Sequence, residues 1–404
     1  MGWYYYIAVV LILLQLTFMV MMYRNYHYAL GRYKEKRLSY RPRTVLLVPC
    51  KGIDQDFQKN VTSFFNQDYE NYLLWFVVAD KADPAYAKLC KLKNQLNRGS
   101  KAQDIQILVA GQGHSCSQKI HNLLYCYERI GDDVEVLAFA DSDVCVRNDW
   151  LSHIVFPLQR PRNGATSGYR WFIPKKNNLA TLALSAVNAK VAQLLGNTHC
   201  NQAWGGSMAI KVDVFRQIGL DKIWPKVLSD DLSLSRAVKK AGKRVIFVPA
   251  CLTASYTSTT WRKLFEFGRR QFLITRLSAP HLWWFALLSS LCSILGLWGG
   301  AGLALYAAAI GEENLTLFAA VPILFFVSQV GRAVLRQKMI SKLLKYDWPK
   351  MRAACAADIL ACWIWSLLLL FFIISASFGR TICWRGVRYK LLGPTKTIVL
   401  GGRS

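Results

Sequence analysis

Residues 3 to 22, WYYYIAVVLILLQLTFMVMM, carry no charged side chain over twenty positions. At about 1.5 Å of rise per residue, such a run covers the roughly 30 Å hydrocarbon core of a bilayer. There only a helix satisfies every peptide group of a single segment, so this end of the chain has one fold open to it. A secretory signal would show a basic stretch before the apolar run and a small-residue cleavage site after it, and the sequence has neither. A retained anchor is expected. Three more apolar stretches, at about 283–310, 315–331 and 357–377, impose the same constraint late in the chain.

Between these ends the polarity is mixed. The expected organisation is an anchor with a basic collar over 1–42, an α/β domain over 43–260, an amphipathic helix at the membrane surface over 261–280, and a transmembrane region with a basic tail over 281–404. Arg24, Arg32, Lys34, Lys36, Arg37, Arg41 and Arg43 follow the first apolar run. Arg332, Arg336, Lys338, Lys342, Lys345, Lys350 and Arg352 follow the third. Basic residues beside spans mark the cytoplasmic side, so a multi-pass protein with its large domain in the cytoplasm is expected. The tail GRTICWRGVRYKLLGPTK opposes a simple count of spans, which would put it outside. Either a late segment re-enters the membrane or lies on its surface, which is the favoured reading, or the tail is external.

A net charge of +27 raises the question of nucleic acid. The charge crowds beside the spans and no nucleic-acid-binding signature is present, so attraction to anionic headgroups accounts for it and no nucleic-acid partner is expected. The eleven cysteines contain no CxxC pair and the six histidines no HExxH spacing. That pattern suits buried thiols in a reducing compartment rather than a disulfide framework or a zinc site.

Within the α/β segment three apolar runs end alike. TVLLVPCKG (44–52), YLLWFVVAD (72–80) and VEVLAFADSD (134–143) read as buried parallel strands that deliver polar groups at their carboxyl ends, where open α/β sheets bind ligands. Asp141 and Asp143 stand one residue apart on one such loop. Two carboxylates there repel each other unless a divalent cation joins them, and Mg²⁺ or Mn²⁺ held this way completes its shell with water and substrate phosphates. Taken alone, the triplet also fits a solvated turn. Downstream, VLSDDLSLSRAVKKAGKRVIFVPA (227–250) sets Asp230 and Asp231 ahead of an amphipathic helix. One acid suffices for a helix cap, which leaves the other for general-base work.

Seven collinear pieces then carry a resemblance: PCKGIDQDFQKNVTSFFNQDY (49–69), VVADKADPAYAKLCKL (77–92), SQKIHNL (117–123), FADSDVCVRNDWL (139–151), GGSMAIK (205–211), SDDLSLSRAVKKAG (229–242) and CWRGVRYKL (383–391). In this order the chain resembles the ceramide glucosyltransferase family, membrane-bound inverting glycosyltransferases of family 2 or 21 type. The resemblance implies an α/β fold with a GT-A, Rossmann-like domain plus α-helical transmembrane segments. It also implies a UDP-sugar donor, a divalent metal (Mn or Mg), a membrane lipid acceptor and β-linkage by inversion. By resemblance Lys51 and Asp80 contact the uridine, Lys119 lies near the donor, Asp141 and Asp143 meet the donor phosphates through the metal, and Asp231 is the base. The family's (Q/R)xxRW motif is imperfect here: FEFGRRQFLITR (265–276) offers Arg269 and Arg270, with Gln271 where the aromatic would stand. The same stretch interleaves aromatics and cations as a membrane-surface helix does, and the two roles are compatible. In NQAWGGSMAI (201–210), Trp204 and a glycine pair are candidates to close over the donor, or Trp204 packs in the core.

Ceramide leads among acceptors by resemblance, with diacylglycerol or another lipid alcohol open. A different class of protein also remains: a catalytically silent membrane scaffold that binds nucleotide-sugar or lipid.

Overall fold

A computed structural model describes residues 2–34 and 40–402. Lys36 and Arg37 of the basic collar lie outside the described residues. The charge-free run forms helix α1 (Gly2–Tyr33), whose Tyr6, Val10, Leu13, Leu14 and Val20 are exposed. An apolar belt of this kind has no place against water, and a bilayer supplies its solvent.

The chain then alternates strand and helix: β1 (Thr44–Pro49), α2 (Phe57–Phe65), β2 (Tyr72–Val78), α3 (Pro84–Leu96), β3 (Asp104–Val109), α4 (Gln118–Tyr127), β4 (Val136–Ala140) and α5 (Trp150–Val155). It continues through β5 (Asn163–Pro174), α6 (Leu179–Ala192), β6 (Ser207–Lys211), α7 (Val212–Gln217), α8 (Leu220–Ile223), α9 (Asp230–Lys240) and β7 (Arg244–Thr257). These strands make one seven-stranded sheet in the order β3-β2-β1-β4-β6-β5-β7. β1 runs parallel to β2 and to β4, so three strands end at the same edge, as their shared pattern predicts. β6 is antiparallel to both of its neighbours.

Successive side chains of a strand point to opposite faces, and each face has its own core. Leu46, Val48, Leu74 and Phe76 pack with Phe57, Phe64, Leu89 and Trp150 on one side. Val45, Leu47, Trp75 and Val77 pack with Ile120, Phe139, Phe215 and Trp224 on the other. Because β2 and β4 are buried along their whole length, they read as unbroken apolar runs.

After the sheet come α10 (Trp261–Ser278), α11 (Pro280–Ile294), α12 (Gly300–Ala309), α13 (Leu315–Leu343), α14 (Arg352–Leu360) and α15 (Cys362–Ser375). A five-residue π-helical turn, Leu295–Gly299, joins α11 to α12, and there a Cβ on Gly296 would lie 2.4 Å from the Phe325 ring. The absent side chain lets α13 approach closely. By length and composition Tyr4–Tyr33, Pro280–Ala309 and Leu315–Leu343 can each cross a membrane, and the segments holding α14 and α15 meet at a bend of 84°. Inside this helical layer Arg336 grips Asp358 through two hydrogen bonds of 2.6 and 2.5 Å, and Gln337 adds a third at 2.7 Å. α10 fits against α15 where a Cβ on Gly268 would meet the Phe372 ring at 2.6 Å.

The tail is folded. β8 (Thr381–Trp384), β9 (Val387–Gly393) and β10 (Lys396–Gly402) form an antiparallel sheet, with Ile382, Tyr389 and Leu391 packed on Leu228, Leu273 and Ala376. The bend between α14 and α15 is compatible with either a broken span or a re-entrant segment.

Candidate active site

The carboxyl ends of β1, β2 and β4 meet at one rim. Asp141 and Asp143 follow β4 directly, and Asp141 N–H donates to Gly206 O at 3.5 Å. Ser229 caps α9 by accepting from Leu232 N–H at 3.2 Å, which brings Asp230 and Asp231 to the same place. Lys119, on the first turn of α4, lies between the two acidic loops. Its Nζ is 2.7 Å from Asp141 Oδ1 and 2.9 Å from Asp230 Oδ2, and it donates to Gly205 O at 3.1 Å. The lysine ties the two acidic motifs together.

The electrostatics follow from this arrangement. Burial alone would lower the Lys119 pKa, but Asp141 and Asp230 outweigh it and hold the ammonium charged well above its ordinary range. Burial raises Asp141 as well, yet Lys119 prevails and keeps that carboxyl below the usual value. Asp143 has no such partner. Burial and then the Asp141 charge push it up, and its Oδ1 is a buried oxygen with no hydrogen-bond partner. Burial also carries Asp230 up to about 6, against the pull of Lys119.

Adjacent in sequence, Asp230 and Asp231 differ in access. Asp230 is only 4% exposed, whereas Asp231 is half-buried. Asp231 Oδ2 accepts from Gly205 N–H at 3.1 Å, and Oδ1 accepts from Leu232 N–H at 2.7 Å and from Ser229 Oγ. These bonds fix its orientation and leave lone-pair capacity on the oxygens. The glycines between Trp204 and Ser207 leave no room for a side chain: a Cβ at Gly205 would sit 2.4 Å from Asp230 Oδ2 and 2.6 Å from Lys119 Nζ, and one at Gly206 would sit 2.3 Å from the Trp204 ring. Trp204 itself is 8% exposed, edge-on to Tyr169 with centroids 5.9 Å apart. The core-packing role anticipated for it is present, and its ring also supports the Arg170 guanidinium at 4.9 Å.

At the far side of the rim Lys51 is exposed and its Nζ donates to Arg385 O at 2.9 Å. Asp80 is exposed at the end of β2, where Oδ1 accepts from Ala82 N–H at 2.9 Å. Its neighbour Asp83 caps α3 and also accepts from Gly52 N–H at 2.9 Å, locking the β1 and β2 loops together. The two α10 arginines separate. Arg269 donates to Ser375 O at 3.2 Å and to Phe378 O at 3.0 Å, closing off the end of α15. Arg270 lies over Phe267 at 5.7 Å, and burial, Arg170 and Arg385 lower its pKa.

Sequence reasoning missed Arg170, a mid-strand residue with no motif around it, and gave Arg385 no role although CWRGVRYKL contains it. Among the described residues no group of three or more His, Cys, Asp or Glu side chains forms a metal cage. A cation that keeps water and substrate oxygens needs only one or two carboxylates, and the partnerless Asp143 Oδ1 beside Asp141 fits that demand.

The family model described as glycosyl transferase family 21 matches residues 7–397. Among solved structures, a mannosyltransferase, PcManGT from Pyrobaculum calidifontis in complex with GDP-Man and Mn2+, is similar at 16% identity over 92% of this chain and 96% of that one, with a TM-score of 0.47. GalNAc-T7 with UDP, GalNAc and Mn2+ is similar at 12% identity over 62% of this chain and 51% of that one, with a TM-score of 0.39.

Proposed function

The chain belongs to glycosyl transferase family 21, and from that premise we propose that it moves a sugar, glucose first among candidates, from a UDP-sugar to a membrane lipid hydroxyl with inversion. One observation carries the reading: Lys119 joins Asp141 and Asp230 at the strand ends, with Asp231 the reachable acid beside them. Ceramide is the favoured acceptor by resemblance.

Lys51 and Asp80 contact the uridine in this reading, which their exposure on the β1 and β2 loops supports. Asp143 and Asp141 are the residues to hold Mn²⁺ or Mg²⁺. When bound, such an ion offsets charge on the departing diphosphate. Asp231 accepts the proton of the acceptor hydroxyl while that oxygen forms its bond to the anomeric carbon. The bond from that carbon to the diphosphate oxygen breaks on the opposite face, and the electron pair leaves with UDP. Gly205 N–H and Ser229 hold the Asp231 carboxylate in place for this. Asp230 cannot substitute, because it is buried and paired with Lys119. Arg270 adds positive charge near the leaving group. Arg269 supports that arrangement by fixing α10 to the end of α15. With the anchor and late spans crossing the bilayer, the positive-inside rule sets the catalytic domain in the cytoplasm, and the aromatic and basic side chains of α10 line the lipid's approach.

The test uses purified protein in detergent with Mn²⁺ or Mg²⁺, labelled UDP-glucose, and ceramide, diacylglycerol or no lipid. A glucosylated lipid is expected that disappears with EDTA. Asp231→Asn is expected to lower turnover by roughly 10³-fold, at the scale of general-base catalysis, with UDP affinity unchanged. UDP binding without product from any sugar donor or lipid would instead identify a silent binding protein.

A further inference from the structure

The two-residue loop between β8 and β9 is Arg385–Gly386, with φ of 48° and 83°. Hairpin turns with both central residues at positive φ favour Asn, Asp or Gly at the first position, because a Cβ is crowded there. Among the described residues Arg385 is the one non-glycine at positive φ, so a bulky side chain is held in an unfavourable backbone conformation. Strain of this kind persists where surrounding contacts impose it and gathers at ligand sites.

The contacts that impose it lie 334 residues back in the chain. Arg385 Nη1 donates to Lys51 O at 3.0 Å while Arg385 O accepts from Lys51 Nζ at 2.9 Å. The hairpin tip is thereby buttoned onto the loop after β1. β1 and β4 are adjacent and parallel, with Leu47 beside Phe139, so the loop after β1 adjoins the Asp141–Asp143 loop. The Arg385 side chain remains 41% exposed, and its nearest carboxylate, Asp54 Oδ2, is 4.0 Å away. Arg170, which lies on β5 over the Trp204 ring, and Arg385 are both close enough to Arg270, over Phe267 on α10, for their like charge to lower its pKa. Three guanidinium groups from three distant parts of the chain converge where Lys119 already neutralises Asp141. Arg170 and Arg385 also pull down the Asp141 and Asp143 carboxyls, so they face the acid loop itself, and guanidinium groups suit the paired oxygens of a phosphate.

We propose that Arg385, presented by the strained tip of the C-terminal sheet, is a donor-binding residue that holds the diphosphate together with Arg170, so that the tail forms one wall of the donor site. This rests on the nucleotide-sugar reading above and adds to it a binding element outside the α/β domain. Arg385→Gly separates a functional from a structural role, since glycine relieves the turn while removing the guanidinium. In full-length protein in detergent with Mn²⁺, calorimetry should show UDP binding at least tenfold weaker in Arg385→Gly. Uridine binding should be unchanged, and the apo melting temperature equal to or above that of the parent. Arg385→Lys should recover part of the UDP affinity. Unchanged UDP affinity in Arg385→Gly overturns the proposal, as does a lowered melting temperature with uridine and UDP weakened alike. If the parent protein binds neither UDP nor GDP, the nucleotide-sugar reading itself fails, and this proposal with it.

Discussion

Asp230 and Asp231 show how one position changes an aspartate's work. Burial and the Lys119 pair make Asp230 part of the framework, while Asp231 stays partly open to solvent, as the proposed base must. The raised value of Asp230, about 6, has a definite sign. Its unfolded counterpart titrates near about 3.9, so between those values the native state holds a proton that the unfolded state lacks. From this group alone, stability is greatest below that window, declines as pH rises through it, and is level above about 6. Activity runs the other way, because protonating Asp230 removes one of the two partners of Lys119. Turnover is expected to fall on the acid side with a midpoint near 6, and a pH–rate profile of Asp230→Asn should be lower throughout and lack that limb. These roles were half legible in the residues. Paired acids after apolar strands are visible as text, but the lysine between them and the glycines that no Cβ can replace are facts of packing.

At the scale of elements, unbroken apolar runs identified β1, β2 and β4, because strands covered on both faces carry no alternation to confuse them. The break between α14 and α15 was not legible in the same way. The sequence from about 357 to 377 reads as one apolar stretch, yet the 84° bend falls inside it, between Leu360 and Cys362. Arg336 and Asp358 hold α14 to α13, both almost fully buried at 2% and 1% side-chain exposure. Removing one member leaves the other charge buried without its partner, which costs about 3–5 kcal/mol. Asp358→Ala should therefore lower the melting temperature in detergent markedly, and Arg336→Met combined with Asp358→Leu should restore most of it. A double variant no better than the single one would mean that the pair does more than neutralise itself. Arg269 acts at the other end of α15, which explains why a motif arginine can be present in α10 while its guanidinium serves a neighbouring helix.

For the whole molecule, the tail settles which parts share a side. The hydrogen bonds between Lys51 and Arg385 place β8–β10 beside the catalytic loops, so both belong on the same face of any membrane that α1 and α13 cross. Cys200 and Cys383 are exposed in these two regions. In sealed vesicles an impermeant maleimide should label both or neither, whereas a cysteine introduced by Glu312→Cys, in the loop between α12 and α13, should label with the opposite pattern. Labelling of Cys200 and Cys383 from opposite sides would refute this topology. The closing of Arg385 on Lys51 also has a consequence for biosynthesis. A ribosome releases the anchor, the sheet and both acid motifs long before it reaches residue 385. While the chain is still being made, one wall of the proposed donor pocket is therefore missing until residue 385 has emerged. A stop or cut ahead of residue 385 is expected to keep the anchor, the sheet and both acid motifs while weakening UDP binding.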